Sequence, residues 1–196
     1  MTVRSDNYLA TKEKILKVAD RLFYLRGIRA VGVDTISAEV GISKRTLYDY
    51  FPSKNDLIAA YLLRRFRPAK ASKKAPADEI LDEFDRLGRA FASEKFRGCA
   101  FVNAVTELSE PTHAANKIAV AFKEQRRNWF KQLLTKSGVS DSEGLSTQLM
   151  LLVDGAVTAA LVHRKPSMAL AARDAAAVLL AARGIFPSSN TLRKGS

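Results

Sequence analysis

The side chains of this sequence best suited to joint chemistry fall between positions 35 and 54. Ser43, Lys44, Arg45 and Thr46 stand in a row, Tyr48, Tyr50 and Lys54 follow, and Thr35 lies just upstream. Cations, hydroxyls and phenols in so short a run suit a polyanion. Long cations reach phosphates and guanine edges, while hydroxyls and backbone amides at a helix start bind phosphate oxygens. To enter a major groove, such a face must stand on a short helix that crosses another closely. The neighbouring residues meet that demand. Ser37, four positions before Gly41, is small enough for a close crossing, and Gly41 supplies the positive φ of the turn. Val40, Ile42 and Leu47 then fill the space between the helices. Ser43, Lys44, Arg45, Thr46, Tyr48 and Asp49 are turned outward, and Leu47 and Phe51 are assigned to packing.

A second constellation is weaker. Cys99, Glu107 and His113 can be sketched as a thiol triad, but only Lys95 and Arg97 stand near enough in sequence to activate the thiol. The chain has 2 His and no Gly-rich phosphate loop, which argues against catalysis. Its 1 Cys excludes an internal disulfide and a multi-cysteine metal site. No catalytic residue, metal or cofactor is expected.

Charge supports the first constellation. The 196 residues carry a net +12. Positions 1–74 hold 16 Lys or Arg against 7 Asp or Glu, a net +9, and the remainder only +3. A basic first third ahead of a nearly balanced remainder fits a polyanion-binding module joined to something else. A solvated basic surface would give the same charge, whereas an architectural or RNA-binding protein would spread it along the whole chain.

The elements that must hold these residues read as helices throughout. Ile15, Leu16, Ala19, Leu22 and Phe23 form one face of a helix expected over 11–26, capped by Ser5 or Thr11 and stopped by Gly27. A short pattern over 33–40 follows, then a helix capped by Ser43 and ended by Phe51-Pro52, then one opened by Ser53 and Asp56 that runs to 66. Positions 67–76, with two prolines, read as a loop or hinge. Beyond it helices are expected over 77–93, 98–108, 111–137, 142–163 and 167–183. No segment alternates as a strand would. No apolar run is read as long enough to cross a bilayer, and positions 1–8 lack an apolar leader core, so a cytoplasmic protein is expected.

The string VDTISAEVGISKRTLYDYFPSKNDLIAAYL resembles the DNA-binding segment of the tetracycline-repressor (TetR) family, most closely at Ile36, Gly41, Ser43, Thr46, Leu47, Tyr48, Tyr50, Phe51, Lys54 and Leu57. RGCAFVNAVTEL is similar to a segment of the same regulators. The resemblance implies an all-α fold, with an N-terminal helix-turn-helix three-helix domain and a C-terminal helical ligand-binding and dimerisation domain. The expected boundaries are 1–53, 54–186 and a flexible tail at 187–196. It implies Lys44, Arg45 and Thr46 at the groove, Tyr48 and Tyr50 on the backbone, and Lys54 on a phosphate. Two positions depart from the family pattern: Ser37 replaces the usual Ala, and Gly32 stands where a Thr often caps the second helix. Thr35 is the substitute phosphate contact.

The implied function is that of a dimeric one-component transcription regulator, a repressor released from a palindromic operator by a small molecule. Its partners would be double-stranded operator DNA, an effector of unknown identity and a second copy of the chain, with no membrane. Leu145, Leu149, Leu152, Ala156 and Ala160 form one stripe, and Leu170, Ala171, Asp174, Ala177, Val178 and Ala181 another. The resemblance implies that these two helices make the dimer interface, although an intrachain core would show the same stripes. The candidate pocket residues are Phe101, Asn103, Phe122, Arg126 and Trp129. An aromatic stripe at helical spacing serves a core or a pocket wall alike.

Overall fold

The computed structural model describes residues 3–66, 73–109 and 112–188, with the side chains of 3–5 excepted. Among them the chain is all-α: α1 (Val3–Arg26), α2 (Val33–Val40), α3 (Lys44–Tyr50), α4 (Lys54–Arg65), α5 (Pro76–Phe91), α6 (Ala100–Leu108), α7 (Ala114–Lys136), α8 (Ser142–His163) and α9 (Met168–Ala181). Most boundaries fall within three residues of the expected ones. The exception is the start of α1, eight residues earlier than expected. No Gly or Pro interrupts 3–26, Asp6 sits in the first turn, and the early turns are tied down by a stack between Tyr8 and Tyr50. Ser5 and Thr11 therefore lie inside the helix, not at its N-terminal boundary. Of the expected hinge, 67–72 lie outside the described residues, and Pro76 opens α5. Pro111 also lies outside them.

The chain divides into two compact units. The first holds α1 to α4, α6 and α7 as far as Phe122; the second holds α5, α7 from Lys123, α8 and α9. Position 53/54 lies within the first unit.

In the first unit, Ile15, Ala19, Leu22 and Phe23 of α1 pack with Ile36, Val40, Leu47, Leu57, Ile58, Tyr61 and Leu62. Each large side chain so buried contributes roughly 1.5–3 kcal/mol. Two ion pairs register α4 on α1: Arg64 on Glu13 at 2.6 Å and Arg65 on Asp20 at 2.5 Å. Arg65 also lies over the Tyr24 ring at 4.1 Å. Exposed pairs are worth about 0–1 kcal/mol, so they fix alignment while the core supplies stability. Burial pushes the Tyr61 phenol up, keeping it neutral.

In the second unit, α5 turns Ile80, Leu81, Phe84, Leu87 and Phe91 into a core with Leu145, Leu149, Met150 and Val153 of α8 and Ala169, Ala172, Ala176 and Leu180 of α9. Small residues let α5 and α9 approach: a Cβ at Gly88 would stand 3.4 Å from that of Ala169. The α8 stripe is thus corrected. Leu145, Leu149, Ala156 and Ala160 are buried inside their own chain, and α8 instead exposes Leu151 and Val162. On α9 the expected stripe does face outward, with Leu170 and Val178 exposed. The expectation that no apolar run is long enough to cross a bilayer is corrected too: α8 is long and apolar enough, by length and composition, to do so. Its buried residues are part of a packed core. Near the end of the chain, the Ser188 amide donates to the Asp78 carboxylate at 3.1 Å, which anchors the start of the expected tail; 189–196 lie outside the described residues.

Candidate nucleic-acid interface

The turn between α2 and α3 is built as its sequence demands. Gly41 is left-handed (φ 79°, ψ 38°), and its amide and that of Ile42 both donate to the Ser37 carbonyl, at 2.9 and 3.0 Å. That arrangement closes α2 as a Schellman-type end. Ser37 is buried, and its hydroxyl donates back to the Asp34 carbonyl at 3.1 Å, so the polar atom at the crossing is satisfied. Val40 and Leu47 are buried and Ile42 half-buried between the helices. Gly32 gives α2 no side-chain cap.

Ser43 caps α3. Its Oγ accepts the Thr46 amide at 3.0 Å and lies 2.8 Å from the Thr46 hydroxyl. Thr35, Ser43, Lys44, Arg45, Tyr48 and Asp49 are exposed, with Thr46 and Tyr50 half-buried. The Lys44 ammonium pairs with Asp34 at 3.1 Å. Both partners are well exposed, so the pair is worth at most about 1 kcal/mol and yields readily to a stronger anion. Tyr50 is stacked on Tyr8, with centroids 4.6 Å apart, and Phe51 is buried at the end of α3.

Lys54 is held differently. Ser53 caps α4, accepting the Asp56 amide at 3.1 Å and donating to the Asp56 carboxylate at 2.6 Å. From the next position the Lys54 ammonium turns inward and donates to the Ile28 carbonyl at 2.7 Å. Burial lowers its pKa, and the Glu107 carboxylate opposes that shift. Glu107, on α6, also accepts the Arg29 amide at 3.0 Å. Its oxygen would lie 3.0 Å from a Cβ at Gly27, whose φ is 94°. One carboxylate from α6 and one ammonium from α4 therefore brace the loop that leads into α2. The sequence reading missed this brace, because nothing in spacing links position 107 to 27–29.

The candidate pocket residues are divided between the two units. Phe101, Asn103 and Phe122 belong to the first unit, Arg126 and Trp129 to the second. Phe101 and Phe122 stack face to face at 3.8 Å, and Phe66 meets both edge-on. Trp129 packs against the second core beside Phe130. Arg126 is nearly buried and pairs with Glu83. Burial lowers its pKa to about 10, against an opposing pull from Asp154. In the sketched triad, the Glu107 carboxylate is spent on the Arg29 amide and the His113 Nδ1 on the Ala115 amide. Cys99 is half-buried at the start of α6.

Residues 15–61, which contain this whole α2–turn–α3 head, match the family of bacterial regulatory proteins named tetR. The HTH-type transcriptional regulator YjdC of Escherichia coli is 24% identical over 161 residues, 78% of this chain and 84% of that protein. The HTH-type transcriptional regulator LmrA of Bacillus subtilis is 26% identical over 175 residues, 81% and 90%. Among solved structures, the TetR-family transcriptional regulator SCO4454 of Streptomyces coelicolor is 29% identical and superposes with a TM-score of 0.78, over 88% of this chain and 95% of that one. A capped second helix, a Gly-turned crossing and an otherwise all-helical chain thus go together with relatives along nearly the full length: residues 15–61 form a TetR-type helix-turn-helix head, and the whole chain is similar to transcriptional regulators of that family.

Proposed function

We propose that the chain acts as a homodimeric, one-component repressor that a small molecule releases from a palindromic operator in the cytoplasm. One observation carries the reading: α3 is a short, capped helix whose Lys44, Arg45 and Tyr48 are exposed together on one side of a satisfied crossing. Lys44, Arg45 and Thr46 read base edges. Thr35, Ser43, Tyr48 and Tyr50 bind backbone phosphates. Lys54 keeps two ammonium protons beyond the one given to Ile28, and these serve a phosphate at the start of α4. In this reading 1–53 recognise DNA and 54–186 dimerise and sense the effector.

The dimer rests on exposed apolar residues of α8 and α9. Leu151 is 65% exposed, Val162 69% and Val178 68%, an apolar surface that a second copy would cover. The effector is argued from the apolar and aromatic character of Phe101, Phe122 and Trp129, which suits a largely apolar molecule, with Asn103 and Arg126 as the polar groups near them in sequence. A ligand that favours dimers with wrongly spaced reading heads weakens DNA binding, and by reciprocity operator DNA weakens ligand binding by the same factor.

A gel shift with the duplex upstream of the protein's own gene tests the central claim, with scrambled duplex and RNA as competitors. Preference for the upstream duplex, lost in Lys44→Ala and Arg45→Ala together, is the expected result. Full preference retained by that double variant would reassign the reading face. Each lost base contact is expected to cost about 1–3 kcal/mol per half-site.

A further inference from the structure

The first turns of α1 lie on the end of the reading helix, and their side chains have the chemistry of a backbone clamp. The Tyr8 ring stacks on Tyr50 at 4.6 Å with the planes 25° apart, yet Tyr8 remains 43% exposed. One turn on, the Lys12 ammonium stands 5.5 Å from the centre of the Phe51 ring. The other charged groups of α1 facing neighbouring helices have different work. Lys14 donates to the Val40 carbonyl at 2.8 Å, Arg21 pairs with Glu39, Glu13 with Arg64 and Asp20 with Arg65. Tyr8 and Lys12 thus differ from them in being set against the last two residues of the α3 segment, Tyr50 and Phe51.

We infer that Tyr8 and Lys12 form a second DNA contact, a hydroxyl and an ammonium that bind the sugar–phosphate backbone beside the phosphate held by Tyr50. The inference rests on the reading of α3 given above. A phosphate oxygen reached by Tyr50 brings duplex within range of a ring stacked on it, and a neighbouring cation adds the charge that such a contact uses. Tyr8 has a further effect: its stack restrains the Tyr50 ring, so that less freedom is lost when DNA binds. The contact is sequence-independent, and it extends each half-site outward rather than changing which bases are read.

The test uses the full chain and a duplex selected from random sequence by the wild-type protein. Lys12→Gln should lower the slope of log K against log salt by about 0.9 for each subunit bound and weaken specific and scrambled duplex alike. Tyr8→Phe keeps the stack and should lose affinity several-fold without moving the slope; Tyr8→Ala should lose more. Unchanged helicity and melting in Lys12→Gln and Tyr8→Phe separate a lost contact from lost folding. Ethylation of backbone phosphates should interfere with the wild type at one outer position that Lys12→Gln no longer senses. If the wild type binds its selected duplex while both conservative variants match it in affinity and slope, this inference alone is overturned. If the wild type selects no sequence at all, the reading of α3 fails and the inference goes with it.

Discussion

Glu83→Leu, one change on α5, is expected to destabilise the second unit by about 3 kcal/mol, and more than removal of its own partner does. Glu83 accepts from two arginines: Arg86, at 2.7 and 2.6 Å, and Arg126. The Glu83 and Arg126 side chains are 10% and 17% exposed, so both are largely out of water. Deleting one member of a buried pair costs roughly 3–5 kcal/mol because the other is left charged and desolvated. Without Glu83, Arg126 faces the Asp154 carboxylate, which Lys123 already engages, and residual exposure pulls the cost to the low end. Without Arg126, Glu83 still has Arg86, so Arg126→Leu should cost only about 1–2 kcal/mol. The double variant should be within about 1 kcal/mol of wild type, since the charge that then loses Glu83 is Arg86, whose side chain is 53% exposed and stays in water. Urea unfolding at one fixed protein concentration measures all three, a condition set by the proposed dimer. An order reversed between the singles, or a double variant as unstable as their sum, would refute the argument.

Four further outcomes follow from other parts of the structure. Val178→Arg and Leu151→Arg should each give a folded monomer by sedimentation and abolish operator binding, whereas Ala160→Arg, at a position only 2% exposed, should lose folded protein instead. Gly41→Ala should cost about 1–2 kcal/mol in thermal unfolding, the strain of a left-handed residue alone, because no atom lies within 4 Å of its Cβ. Gly27→Ala should cost more, since it must also push Glu107 off the Arg29 amide, and Glu107→Ala should remove that excess. For Lys54, burial holds the folded pKa below 10.5, so folding opposes its protonation. That opposition is fully present below the folded pKa and fades as pH rises through it towards the unfolded value. The stability of wild type relative to Lys54→Met should therefore increase with pH in that alkaline range, and a flat difference would contradict the burial.

The helix-turn-helix was legible because its constraints are local. Gly41 is the position where the turn needs a positive φ, Ser37 is small where α2 and α3 cross, and Ser43 bonds an amide three residues away. Short range fixes all three, and helical periodicity predicted α8 to the residue. The start of α1 was not legible, since its early turns are held by Tyr8 on Tyr50, a contact spanning forty-two positions. The same limit hid the brace of Glu107, Lys54, Gly27 and Arg29, which joins three segments through side chains with no common spacing. Faces were ambiguous for a different reason. A helix as apolar as α8 carries more than one stripe, and periodicity cannot say which stripe meets its own chain and which remains outside. Packing against α5 and α9 decided that, burying Leu149 and Ala156 and leaving Leu151 and Val162 exposed. Tertiary structure likewise gave Arg126 its partner. The sequence alone determined which residues carry the chemistry proposed to read DNA and on what kind of element they stand. The fold determined which of the remaining polar and apolar groups are already satisfied, because satisfaction depends on neighbours that only the packed chain brings together.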